Sequence, residues 1–183
     1  AESDVYKRQI LDGQFPFVFV HTDEGLVGIG ECFRRQPSVT RTVVDEVLAP
    51  SIIGKDPVDT DARFRDMARA GNALEIGGAI WIGIAGLDIA LWDLKGIRAE
   101  QPLYKLLGAA RERIPIYDTD GGWLNHSEDE LVRNSAENMA KGFAGIKMKV
   151  GKPDRAEDVA RVRAVRNAIG DATKLMVDAN LHW

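Results

Sequence analysis

Hydrophobic positions fall into β-forming runs at the start of the chain, helical stripes through its middle, and short β runs alternating with amphipathic stretches after Arg113. Residues 15–21 and 26–32 are rich in β-formers and flank Thr22-Asp23-Glu24-Gly25, which predicts an antiparallel hairpin with Gly25 at a positive-φ position. A helix is predicted over 37–48. A second opens at Pro57 with Asp56 as its N-cap and Val58, Phe64 and Met67 among its apolar positions, Pro50 and Gly54 marking the join. Ile80, Ile84, Leu87, Leu91 and Leu94 recur at spacings of three and four, one continuous stripe on a helix ending near Lys95-Gly96. A short turn follows over 102–108.

Beyond a boundary placed near residue 110, the pattern predicts strands at 114–119, 145–150 and 174–178, with helices at about 127–141 and 156–169 between them. Such β-α-β-α-β alternation implies parallel strands joined by right-handed crossovers. Both a doubly wound sheet and a (β/α)₈ barrel satisfy it. The stretch from Arg113 onward is far shorter than the roughly 250 residues of a complete barrel, so a barrel here would be incomplete.

Composition narrows the function classes. The 183 residues are 45% hydrophobic and 28% charged with a formal net charge of -4, ordinary for a globular protein. No basic block marks a nucleic-acid track. The apolar stretch 76–92 is interrupted by Asp88 and by glycines, and reads as a buried helix rather than a membrane span. Cys32 is the single cysteine, which excludes an internal disulfide and fits a reducing cytoplasm. No apolar stretch of signal-peptide type follows Lys7-Arg8. Residues 3–9 resemble translated adaptor sequence, so 1–9 are set aside as non-native, and both ends read as interrupted.

Two places carry candidate chemistry. Lys147 and Lys149 flank Met148 on a predicted strand, so the two-residue period sends both ammonium groups to one face near the strand's C-terminal end. That end is where parallel α/β proteins bind ligands, and a neighbouring cation helps a lysine act as a neutral base. Two surface lysines at a solvated edge have the same pattern. Asp178 closes the next strand and Asn180 follows, placing a carboxylate and a carboxamide at the same rim, where turn capping is the alternative. Together with the lysines, Asp178 suggests a hard divalent cation such as Mg²⁺.

Other motifs point nowhere. Gly28-Ile29-Gly30-Glu31 lacks the third glycine of a dinucleotide fingerprint and sits in the hairpin. His21, His126 and His182 are too scattered for a zinc site. Phe33-Arg34-Arg35 reads as a solvated loop.

Three blocks carry a resemblance: Gly28-x-Gly30-Glu31; Gly86-Leu87-Asp88-Ile89-Ala90-Leu91-Trp92-Asp93-Leu94-Lys95-Gly96 running on to residues 102–108; and Lys147-Met148-Lys149-Val150-Gly151 with Val177-Asp178-Ala179-Asn180. Together they resemble the enolase superfamily, in its mandelate racemase and muconate-lactonizing branch, over residues 13–183. Ile97 departs from the basic residue often found after that glycine. The resemblance implies an α+β capping domain over residues 1–110, followed over 111–183 by the first β/α units of an incomplete (β/α) TIM-like barrel, and so favours the barrel over the doubly wound sheet. It also implies catalytic roles for Lys149, as the base that removes a proton α to a carboxylate, and for Lys147, which tunes that base and touches the substrate carboxylate. Asp178 becomes a Mg²⁺ ligand and Asn180 a substrate contact or a support of the metal shell. The pairing of a lysine base with Mg²⁺ is known for the superfamily. A weakly acidic α-proton needs both a held base and a metal to stabilise the enediolate.

The family's further metal carboxylates and second acid or base have no counterpart before Trp183, so the chain alone is expected to be inactive. Residues 117–124, 156–158 and 175–180 are most similar to acid-sugar dehydratases, including the talarate/galactarate type. The parent is therefore expected to be a cytoplasmic lyase of acid-sugar catabolism, a homo-oligomer acting on a small carboxylate, without nucleic-acid or membrane partners. Racemisation, epimerisation and cycloisomerisation start from the same enolate and remain open. A non-catalytic binding or assembly module is the reading outside enzymes.

Overall fold

The structure, a computed structural model, describes residues 5–11, 15–74 and 77–181, the first of these segments by its backbone alone. The chain divides into two compact units, Ala1–Ala110 and Arg111–Trp183.

In the first unit, β1 (Val5–Leu11), β2 (Phe15–His21) and β3 (Val27–Glu31) form an antiparallel sheet in the order β1-β2-β3. The hairpin of β2 and β3 is as the sequence predicts, with Gly25 at φ 80° and Leu26 N donating to Thr22 Oγ1 at 3.1 Å. The third strand was not anticipated: residues 5–9, set aside as adaptor-like, pair with β2 from Val5 opposite His21 to Gln9 opposite Phe17. Backbone pairing is indifferent to where a sequence came from, and β2 offers a free edge to any extended neighbour.

The predicted helix at residue 37 is longer and less regular than expected. It runs as α1 (Pro37–Val43), a wider π turn (Val44–Leu48) and α2 (Ala49–Ile52), so Pro50 lies inside it rather than ending it. Proline has no N–H to give and its ring needs room on the preceding turn, and the widened turn immediately before it provides that room. The next helix, α3 (Thr60–Gly71), starts later than Pro57, capped by Asp59, whose Oδ1 accepts from Ala62 N at 3.1 Å. Asp56 closes a turn instead, accepting from Val58 N at 3.0 Å.

The long helix α4 (Gly78–Arg98) is followed by one further helical turn, α5 (Leu103–Leu106). Its predicted stripe is buried throughout: Ile80, Ile84, Leu87, Leu91 and Leu94 are each no more than 4% exposed. They form the core with Val18 and Val20 of β2 and with Val44, Leu48, Ile52 and Met67, each large side chain contributing about 2 kcal/mol. Gly28 and Gly30 make this packing possible, because a Cβ at either would run into the α4 carbonyl oxygens of Ala90 and Gly86. The outward N–H of Ile29 is satisfied by Asp93 Oδ2 at 2.9 Å. The second block of the resemblance is therefore the helix that covers the first. Among the described residues no helix is long and apolar enough to cross a membrane.

In the second unit, α6 (Glu128–Ala140), β4 (Gly145–Lys149), α7 (Arg155–Ile169) and β5 (Lys174–Asp178) follow the predicted order, and β4 and β5 pair in parallel. A capping box starts α6, with Glu130 N donating to Ser127 Oγ at 3.3 Å and Ser127 N to Glu130 Oε2 at 2.8 Å. The strand expected at 114–119 is reduced to a single parallel bridge, Asp118 opposite Ile146. Lys147 N donates to Asp118 O at 2.7 Å and Ala144 N to Ile116 O at 2.7 Å. Pro115 has no donor to extend the ladder. Leu131, Ile146, Met148 and Val165 form the small core beneath the sheet.

Candidate functional site

Alternation along β4 divides its side chains. Ile146 and Met148 are wholly buried against the helices, which sends Lys147 and Lys149 to the other face. The parallel register sets Lys149 opposite Asp178 and Lys147 opposite Met176. Two cations and one carboxylate from neighbouring strands therefore share one side of the sheet at the strands' C-terminal ends.

Lys149 Nζ donates to Asp178 Oδ2 at 2.7 Å and to Asn180 Oδ1 at 2.8 Å, and Lys147 Nζ reaches the same Asp178 oxygen at 3.4 Å. Asn180, at φ 47°, donates its backbone N–H to Asp178 Oδ1 at 2.9 Å. All four residues singled out in the sequence thus meet in one network. The Lys149 hydrogen bond, the Asn180 N–H, the Lys149 charge and the Lys147 hydrogen bond together pull the Asp178 carboxyl down to about 2. Lys149 is the most enclosed of the three charged groups, its side chain 11% exposed against 23% for Lys147 and 34% for Asp178.

Two aromatic rings complete the walls. Lys149 Nζ lies 5.6 Å from the centre of the Trp123 ring and Lys147 Nζ 5.8 Å from that of Tyr117, both within cation–π range. The loop bearing them is seated on the lysine strand: Asp118 accepts from Asp120 N and Gly121 N, and a Cβ at Gly122 would meet the Lys147 carbonyl. Sequence reasoning noted residues 117–124 only for their family likeness. Nothing periodic in a loop says where its rings point.

Asp158, noted with residues 156–158 only for family likeness, has a structural part that the sequence did not reveal. This buried carboxylate accepts from Gly151 N at 2.8 Å and Lys152 N at 2.9 Å, fixing the turn immediately after Lys149. The one available signal was an acid on the helix face otherwise occupied by Val162 and Val165.

As a metal centre the cluster is partial. Among the described residues no group of three His, Cys, Asp or Glu side chains could hold a metal ion. Asp178 and Asn180 offer one carboxylate and one amide oxygen, donors suited to a hard divalent cation but too few to enclose it. His126 takes no part, its Nδ1 lying 3.1 Å from Gly121 O, and His182 is outside the described residues. Arg34 and Arg35 are exposed, as expected. A groove on the opposite face of the strands from the lysines has an apolar floor of Val150, Val162, Leu175 and Val177, and Lys152, Arg155, Asp158, Arg163 and Arg166 also line it.

Residues 10–108 match the N-terminal domain of the mandelate racemase / muconate lactonizing enzyme family, and residues 130–183 match the Enolase C-terminal domain-like family. The chain belongs to the mandelate racemase / muconate lactonizing enzyme family. Among relatives of this enolase-superfamily chain, the L-talarate/galactarate dehydratase of Salmonella typhimurium is 38% identical over 165 residues, 90% of this chain and 42% of that protein. The 3,6-anhydro-alpha-L-galactonate cycloisomerase of Streptomyces coelicolor is 36% identical over 95% of this chain and 48% of its own length. The crystal structure of a racemase from Streptomyces coelicolor with bound magnesium superposes with a TM-score of 0.89 at 34% identity, covering 99% of this chain and 56% of that one. The chain thus spans about half the length of these family members.

Proposed function

We propose that this chain supplies the lysine base and the first metal carboxylate of a Mg²⁺-dependent lyase that dehydrates a sugar acid to a 2-keto-3-deoxy acid. Residues 1–110 serve as its capping domain and 111–183 as the front of its barrel. The observation that carries the reading is the placement of Lys149 opposite Asp178 on adjacent parallel strands, with Lys147 and Asn180 bonded into the same cluster.

Lys149, enclosed by Trp123, Asp178 and Asn180, takes the proton α to the substrate carboxylate. Lys147, more open and two residues earlier on the same face, meets that carboxylate. Asn180 orients Lys149 through its amide oxygen. Asp178 would hold Mg²⁺ in part, and the ion, when bound, would supply positive charge that stabilises the negative charge developing on the substrate carboxylate. Among the described residues no group of three acidic, histidine or cysteine side chains could complete a metal site, so this chain by itself is expected not to turn over substrate. The partner is a small sugar acid, with neither nucleic acid nor membrane, in a homo-oligomeric parent. A cytoplasmic location belongs to the same reading and rests on the buried free thiol of Cys32.

Dehydration is preferred because an L-talarate/galactarate dehydratase and an arabinonate dehydratase are among the relatives. The presence of a cycloisomerase and a racemase beside them keeps isomerisation as the second reading. The complete reading frame that holds this chain is assayed with Mg²⁺ against a panel of acid sugars, following 2-keto-3-deoxy products. Product formation that Lys149→Ala abolishes supports the dehydratase. Solvent deuterium entering the α-carbon without such product favours the racemase or epimerase. Turnover that survives Lys149→Ala rejects the lysine base altogether.

A further inference from the structure

Arg161 of α7 is 3% exposed, and the reading above gives it no role. Its Nη1 donates to Leu124 O at 2.9 Å and its Nη2 to Trp123 O at 3.2 Å. Its Nε is buried without a hydrogen-bond partner among the described residues. A guanidinium taken out of water and paired only with neutral carbonyls is costly to fold. Packing alone does not account for it, because Val165, on the same helix, fills its place in the core with a valine.

What a guanidinium does and a leucine cannot is grip two successive carbonyls at once, which sets the peptide planes on either side of a residue. Here that residue is Leu124, and the first of the two planes is the one that leaves Trp123, so the backbone on the C-terminal side of the indole is held. The other anchors of the loop, Asp118 on Asp120 N and Gly121 N and the close approach of Gly122 to the strand, act before Trp123. His126 N donates to Trp123 O at 3.2 Å from beyond it. Trp123 is 43% exposed, so packing does not lock its ring, yet the ring stands 5.6 Å from Lys149 Nζ.

We propose that Arg161 is a positioning residue for Lys149, acting through Trp123: it holds the indole as the wall that confines the ammonium group on the side away from Asp178 and Asn180. The proposal deepens the reading of Lys149 as the base and rests on it for its functional meaning, since a base is effective only when its nitrogen is held at a fixed point. The tether itself is measurable without turnover.

The test is NMR on this chain with ¹³C-labelled lysine, Lys149 being assigned by Lys149→Arg. The ring current of Trp123 is expected to displace the Lys149 ε-methylene signals upfield, and Trp123→Leu defines their ring-free position. Arg161→Met, which keeps length and loses the donors, should carry Lys149 more than half of the way to that position, while Arg161→Lys restores part of the displacement. A folded Arg161→Met chain with Lys149 still at its wild-type shift overturns the proposal. Should Arg161→Met fail to fold, the wild-type chain decides: slow rotation of the Arg161 guanidinium about its Nε–Cζ bond is expected, and free rotation overturns the tether. Failure of the base reading shows separately, as turnover surviving Lys149→Ala, and leaves these spectra unchanged.

Discussion

Lys149 Nζ sits 2.7 Å from Asp178 Oδ2, across two parallel strands whose residues at this point are direct neighbours. Because the pair favours the ionised carboxylate, Asp178 is expected to titrate at about 2. A folded-state value below the ordinary one means the interaction is fully present above the ordinary carboxylate range and is lost as pH falls towards 2. A ¹³C titration of the Asp178 carboxyl checks this, with Lys149→Met expected to bring the midpoint back towards 3.8. A wild-type midpoint already near that value would show that the pair does not form in solution.

Gly30→Ala is expected to destabilise the first unit by about 3 kcal/mol or more, because the new methyl meets the Gly86 carbonyl and backbone cannot step aside. Gly25→Ala, in open space but at φ 80°, should cost only about 1 kcal/mol of backbone strain. Denaturant unfolding of both variants measures the contrast, and equal losses would contradict the close helix-on-strand packing.

Burial pushes the Cys32 thiol up to about 11, with the nearby Glu31 charge adding to it. Below the unfolded value of 9.0 the thiol is neutral in both states; from there to about 11 the unfolded chain ionises first, so stability falls by roughly 2 kcal/mol across that window. The difference between wild type and Cys32→Ala in the pH dependence of unfolding isolates this contribution. Alkylation at pH 8 should also be slow until the chain unfolds.

Removing the carboxylate that holds Gly151 N and Lys152 N leaves two donors without their charged partner. Asp158→Ala is expected to cost about 3 kcal/mol and Asp158→Asn about half of that. Hydrogen exchange at the two amides reports the loss directly: protection retained in Asp158→Ala would mean the turn after Lys149 is held by something else.

The parts legible in the sequence were those with a period. The α4 stripe from Ile80 to Leu94 and the shared face of Lys147 and Lys149 follow from spacings of 3.6 and 2, which survive any tertiary setting. Register is different. That Lys149 faces Asp178 depends on how α7 returns the chain, and no local pattern encodes it. Competing caps misled the start of α3, where Asp56 and Asp59 both precede a helix and only the second holds its first turn. The aromatic walls and Arg161 were illegible because a loop's path is set by scattered anchors, here Asp118, Gly122 and the arginine itself.

Lys147, Lys149, Asp178 and Asn180 all come from one strand-helix-strand passage and the short turn after it. Closing so short a segment costs little chain entropy, and the contacts that define the cluster are local ones. The network is therefore able to assemble early, as soon as β5 has left the ribosome and met β4. The order in which the protein is made then matches the order in which this network is built, with Lys149 and Asp178 paired as soon as the second of their strands is available.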